Sequence, residues 1–168
     1  MIEHWQDKAF REAFEIEEFI KRYEKQYGKK LEIIKKREKP DYLVLDKHTG
    51  LFYGVELTSV YLTDRSVFEE NIHPEMKRVP CDPVALEQYK QRILRAVSEK
   101  IQKARIGYDL TYPLLLSVYV NEYLAAYLEQ SEWSKLEQNN TSLFQDISPF
   151  EKIGFWPLPK GEAYFVNK

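Results

Sequence analysis

Cysteine is almost absent from this chain. A single residue, Cys81, excludes an internal disulfide framework and a cysteine-rich zinc site, and it fits a reducing compartment. Histidine is nearly as scarce. His4, His48 and His73 are scattered, with no His-X-X-X-His pair and no Cys-X-X-Cys, so a histidine triad or a zinc hydrolase finds no support. No glycine-rich phosphate loop follows a candidate strand. No apolar run approaches the roughly 20 residues that span a bilayer. The N-terminal stretch has no basic-then-apolar signal pattern. A cytoplasmic protein with no membrane partner is the expectation. Net charge is only -2, so any nucleic-acid binding must use a local basic face.

What is present is ample material for a core. Of 168 residues, 43% are hydrophobic and 14% aromatic, which predicts one folded domain over residues 1–168. Phe10, Ala13, Phe14, Ile20, Tyr23 and Tyr27 recur at helical spacing and predict a helix from about Trp5 to Tyr27, capped by Gly28. Glu17 falls on that stripe. Strands are expected from Leu31, from Tyr42 to Leu45, and from Leu51 to Leu62, with a turn at His48-Thr49-Gly50. Residues 63–83 carry three prolines and no period, which predicts a functional or partner-facing loop containing His73. A second helix is expected over Pro83–Gly107, with Asp82 as N-cap. Pro113–Asn121 reads as a strand buried on both faces. A third helix over 122–137, a loop over 139–142 and two short strands at 150–156 and 163–166 complete the order.

Two carboxylates stand out. Asp41 opens the Tyr42–Leu45 strand, and Glu56 sits inside Phe52–Val60. Burying a carboxylate costs several kcal/mol unless a charge or a metal pairs it. Adjacent strands lie about 4.8 Å apart, so two such groups at one level can share a divalent ion. The other reading is structural: Asp41 caps local backbone, and Glu56 pairs with a lysine of the second helix. Alternation puts Glu56 and Thr58 on one strand face. If Val97, Ile101 and Ala104 face the sheet, Lys100 lies at the edge of that face and Lys103 further round.

Pro40-Asp41, then Glu56-Leu57-Thr58 fifteen residues after Asp41, resembles the PD-(D/E)XK nuclease superfamily. The α-β-β-β-α-β order resembles the core of its restriction-endonuclease-like fold, an α/β fold with a central mixed sheet flanked by helices. The likeness covers roughly residues 10 to 121. It implies a Mg²⁺-dependent nuclease, with Mn²⁺ as a substitute and DNA as the expected substrate. It also implies Asp41, Glu56 and the backbone carbonyl of Leu57 as metal ligands, with an acid from the first helix, Glu17 on helical phase or else Glu18. The motif's lysine position holds Thr58. Lys100, or Lys103 after it, is the candidate to supply that charge while Thr58 positions water. The alternative is a catalytically inactive member of the fold that binds nucleic acid or a protein. A homodimer stays open.

Basic residues crowd the first helix end and first strand, Lys35, Lys36 and Arg37 among them, and recur on the second helix, Arg95 included. These four are the candidate nucleic-acid rim. Ordinary solvated faces would look the same.

Overall fold

The computed structural model describes residues 7–61, 83–120 and 128–168. The expected loop over 63–83 with His73, and the first part of the expected third helix, lie almost wholly outside the described residues.

Helix α1 spans Lys8–Tyr27. Asp7 caps it by accepting from Ala9 N at 2.9 Å, and Gly28 ends it at φ 63°, its N–H reaching Glu24 O. Strands β1 (Leu31–Lys36), β2 (Tyr42–Asp46) and β3 (Phe52–Val60) follow. Helix α2 covers Pro83–Gly107, β4 Leu114–Val120, α3 Gln130–Gln138, α4 Thr141–Phe144, β5 Phe150–Leu158 and β6 Glu162–Asn167. The expected 139–142 loop is therefore partly helical. Phe144 is buried and meets the edge of Phe155, and that tertiary contact draws the segment into a turn.

The molecule is α/β, with one six-stranded mixed sheet in the order β1-β2-β3-β4-β5-β6. Pairing is antiparallel from β1 to β3, parallel from β3 to β5, and antiparallel again at β6. One face carries α1, whose Ile16, Phe19, Ile20 and Tyr23 pack with Val44, Val55, Leu57, Leu115 and Trp156. The other carries α2, whose Ile93, Val97, Ile101 and Ala104 pack with Leu114, Leu116, Val118, Ile153 and Phe155. Strand β4 sends Leu115 one way and Leu114 and Leu116 the other, which explains its unbroken apolar run.

The α1 stripe differs from the sequence expectation. Phe10 and Ala13 are exposed, while Glu15 and Ile16 are buried. The helix is rotated so that Ile16, Phe19, Ile20 and Tyr23 meet the sheet, a run with better i, i+3, i+4, i+7 spacing.

Candidate active site

The site forms where β2 begins. Its pairing with β3 runs from Leu45↔Phe52 to Tyr42↔Val55, and one further step sets Asp41 opposite Glu56. From there to Val60, β3 pairs with β4 alone. Side chains replace the missing ladder: Leu57 N donates to Asp41 Oδ2 at 2.8 Å, and Asp41 N donates to Glu56 Oε1 at 3.2 Å. Gly54 makes this possible. A Cβ there would lie 2.5 Å from Pro40 Cγ and 2.7 Å from Leu114 Cδ2. The Pro40 ring thus seats directly against β3 and delivers Asp41 beside Glu56.

Glu56 is 3% exposed. Its Oε2 accepts from Lys100 Nζ at 2.8 Å and from the hydroxyl of Tyr108, which follows α2. Burial pushes the Asp41 carboxyl up to about 7, helped by its hydrogen bond with Glu56 and that group's charge; Leu57 N–H and Lys100 oppose the shift. Burial also raises the Tyr108 phenol, and the Glu56 hydrogen bond and the two carboxylate charges add to it, so Tyr108 stays a neutral donor.

Asp109 ties the other half of the site. Its carboxylate accepts from Arg37, and its N–H donates to Lys39 O at 3.2 Å. Arg37 N in turn donates to Asp41 O at 2.6 Å. Tyr108 and Asp109, consecutive in sequence, thus touch Glu56 and the connection that carries Asp41.

Other expected residues divide. Thr58 is half-buried and lines a cleft of about 250 Å³ with Leu57, Ser59 and residues of α1. Lys103 is exposed, one helical step away from the face that Lys100 presents. Glu17 is also exposed, and Glu18 pairs with Lys21 and Arg22. The rotation of α1 takes both away from the site. Glu12 stands in their place: with Asp41 it lines a cleft of about 590 Å³, and its Oε2 lies 2.8 Å from Lys36 Nζ. Glu15 is buried, accepts from the Ser59 hydroxyl, and is pushed up by burial. Of the expected rim, Lys35 is exposed on β1, Lys36 is paired with Glu12, and Arg37 is paired with Asp109. Arg95 is exposed on α2.

Among the described residues, no three His, Cys, Asp or Glu side chains converge as a metal-binding group. Asp41 and Glu56 nevertheless supply two hard oxygen donors. A Mg²⁺ is commonly held by one or two carboxylates while water and substrate phosphate complete the shell. The donor set fits such an ion, whose charge would offset the burial and the neighbouring Glu56 that raise the Asp41 carboxyl.

No family model, no curated protein and no solved structure matches the chain. Among the described residues, no helix is long and apolar enough to cross a membrane.

Sequence reasoning missed Glu12, Glu15, Tyr108 and Asp109. For Glu12 and Glu15 the signal was the Ile16–Phe19–Ile20–Tyr23 spacing, which extends back through both. For Tyr108 and Asp109 no local signal exists, since their partners lie 52 and 72 residues away.

Proposed function

We propose that this chain is a Mg²⁺-dependent nuclease of the PD-(D/E)XK, restriction-endonuclease-like kind, acting on phosphodiesters, with DNA as the expected substrate. The observation that carries the proposal is the Lys100 ammonium 2.8 Å from Glu56 Oε2. It supplies, from α2, the positive charge that the Thr58 position does not. The order of α1, β1–β3, α2 and β4 around the mixed sheet is in keeping with it.

Asp41, Glu56 and the Leu57 carbonyl would hold the ion, with Glu12 at the border of the Asp41 cleft. Leu57 presents its N–H to Asp41, and in a strand the carbonyl of the same residue shares that edge. When bound, Mg²⁺ supplies Lewis-acid polarisation of the phosphoryl oxygen and a lowered water pKa. Lys100 places a cation where transition-state charge develops, and the Thr58 hydroxyl can orient water in the cleft it lines.

A second reading has its own observation. Both Glu56 oxygens are engaged by protein donors, Asp41 N on one and Lys100 and Tyr108 on the other. That is how a structural ion pair in a binding module would look. Calorimetric titration with Mn²⁺ and Mg²⁺, on the unmodified chain, Asp41→Ala and Glu56→Ala, with and without DNA, separates the two. The nuclease requires binding that both substitutions abolish, followed by metal-dependent cleavage. Absence of metal binding in the presence of DNA would leave the binding module.

A further inference from the structure

Three clefts adjoin, two of them along the edge of β3 that β2 leaves unpaired. The first, about 590 Å³, contains Asp41. The second, about 250 Å³, shares Lys8 and Glu12 with it and runs past Leu57, Thr58 and Ser59. The third, about 470 Å³, shares Ser59 and Tyr61 with the second and reaches Arg92 and Arg95 on α2. Together they make one groove that starts at Asp41 and runs from the α1 side of the sheet to the α2 side.

The cations around this groove are not equivalent. Lys36 is committed to Glu12 and Arg37 to Asp109. Arg11 and Arg95 differ: among the described residues neither guanidinium is in an ion pair, and Arg11 Nε is buried without a hydrogen-bond partner. The acids that face them are Glu12, Glu15 and Glu99. Glu12 is also within reach of Lys8, and Glu15 accepts the Ser59 hydroxyl. Burial raises the Glu15 carboxyl, which favours its neutral form, although the Arg11 charge works against that. One guanidinium on each bank, opposed by Glu99 on the α2 side and by the engaged Glu12 and Glu15 on the α1 side, offers planar donors suited to phosphate oxygens.

We propose that this groove is a polynucleotide track in which Arg11 and Arg95 hold phosphates flanking the one at Asp41 and Glu56. It rests on the nuclease reading only for the position of the scissile phosphate. The phosphate contacts themselves require no catalysis. The track replaces the Lys35–Lys36–Arg37 rim as the main electrostatic surface.

The test is equilibrium binding of fluorescein-labelled DNA and RNA oligonucleotides, in EDTA, across a salt series. The proteins are the unmodified chain, Arg11→Gln, Arg95→Gln and, for comparison, Lys35→Gln. Each arginine substitution should make the slope of log K against log salt shallower by about 0.7 for single strands and about 0.9 for duplex. Lys35→Gln should leave it unchanged. Arg11→Lys and Arg95→Lys, which keep the charge, should retain the slope and guard against loss of fold. No binding of either polynucleotide to the unmodified chain overturns the proposal, as do unchanged slopes in the arginine variants or an equal loss in Lys35→Gln. Loss of slope without metal binding in the separate calorimetry would keep the track and remove the nuclease.

Discussion

Glu56 and Lys100 meet at 2.8 Å between β3 and α2, the carboxylate 3% and the ammonium 24% exposed. They stand 44 residues apart in the chain. A carboxylate this buried is held by its partner, and the partner is held in turn by the packing of α2 on the sheet.

Lys100→Met should therefore do two separable things. It leaves Glu56 charged and buried, which costs about 2–3 kcal/mol, a little below the usual cost of a broken buried pair because Lys100 is partly solvated. If the nuclease reading holds, cleavage should fall by about 10²–10³-fold as the transition-state cation is lost. Denaturant unfolding measures the first effect and plasmid cleavage the second. Adding Glu56→Gln to Lys100→Met should recover part of the stability and none of the cleavage. Full stability in Lys100→Met would show that the pair is not what holds Glu56.

Gly54→Ala should push Pro40 outward and with it Asp41. The added Cβ would sit 2.5 Å from Pro40 Cγ. Overpacking of this kind costs about 1–3 kcal/mol. Gly154→Ala is the matched control, since its Cβ would meet Phe165 Cε1 at 2.5 Å and Phe19 Cε2 at 2.9 Å on the other face of the sheet. Both variants should melt lower, and only Gly54→Ala should weaken Mn²⁺ binding in calorimetry. Equal metal affinity in the two would mean that Pro40 does not position Asp41.

Asp109→Ala removes the carboxylate that holds Arg37, on the connection carrying Asp41. Its side chain lies at the surface, so the melting temperature should move little. Partners that orient ligands commonly matter about 10–100-fold in metal affinity. We expect at least a tenfold loss of Mn²⁺ affinity for Asp109→Ala. Tyr108→Phe, which strips the hydroxyl from Glu56, should do the same. Unchanged Mn²⁺ affinity in both variants would reduce the Tyr108–Asp109 contacts to local structure.

Two carboxyls should move stability with pH in opposite directions. Burial pushes Asp46 up, but the His48 N–H, the Thr49 hydroxyl and N–H, and the Lys29 charge together outweigh it, so its pKa is lowered. Its contribution is complete above the unfolded value of about 3.9 and fades as pH falls through the lower folded value. Glu15 is raised, chiefly by burial. Ionising it costs stability at neutral pH, and the cost disappears as pH falls through the raised folded value. Asp46→Asn should thus be less stable than the unmodified chain at pH 7, with the gap closing below about pH 4. Glu15→Gln should be more stable at pH 7, with its advantage shrinking as acid is added. Chemical denaturation at a series of pH values reads both, and a Glu15→Gln variant less stable at pH 7 would show that the Ser59 hydrogen bond outweighs the burial cost.

Much of the fold was legible because its signals are local. Pro83 and Gly107 bound α2 as expected, Gly28 ends α1, and the unbroken apolar run at 114–120 is the central strand β4. Alternation along β3 placed Glu56 and Val60 toward α2, and Val55 and Leu57 toward α1, because the two-residue period of a strand allows no other division. The α1 stripe departs from expectation at its start, where Phe10 and Ala13 are exposed, while Phe14, Ile20, Tyr23 and Tyr27 pack on the core side as expected and Ile16 and Phe19 complete the run.

Among the described residues, the sequence by itself determined the order of elements from α1 to β4, the faces of β3, and the placement of Asp41 and Glu56 on neighbouring strands. These follow from backbone periods and turn chemistry, which act over a few residues. Only the tertiary structure decided that Glu12 and Glu15, not Glu17, face β3. It also decided that Tyr108 and Asp109 reach the site, and that among the described residues Lys36 and Arg37 are paired while Arg11 and Arg95 remain outside ion pairs. Those outcomes depend on how far a helix rotates against a sheet and on which charges meet across long stretches of chain. A shift of one residue in helix phase turns a side chain by about 100°, so small differences in packing reassign an entire functional face.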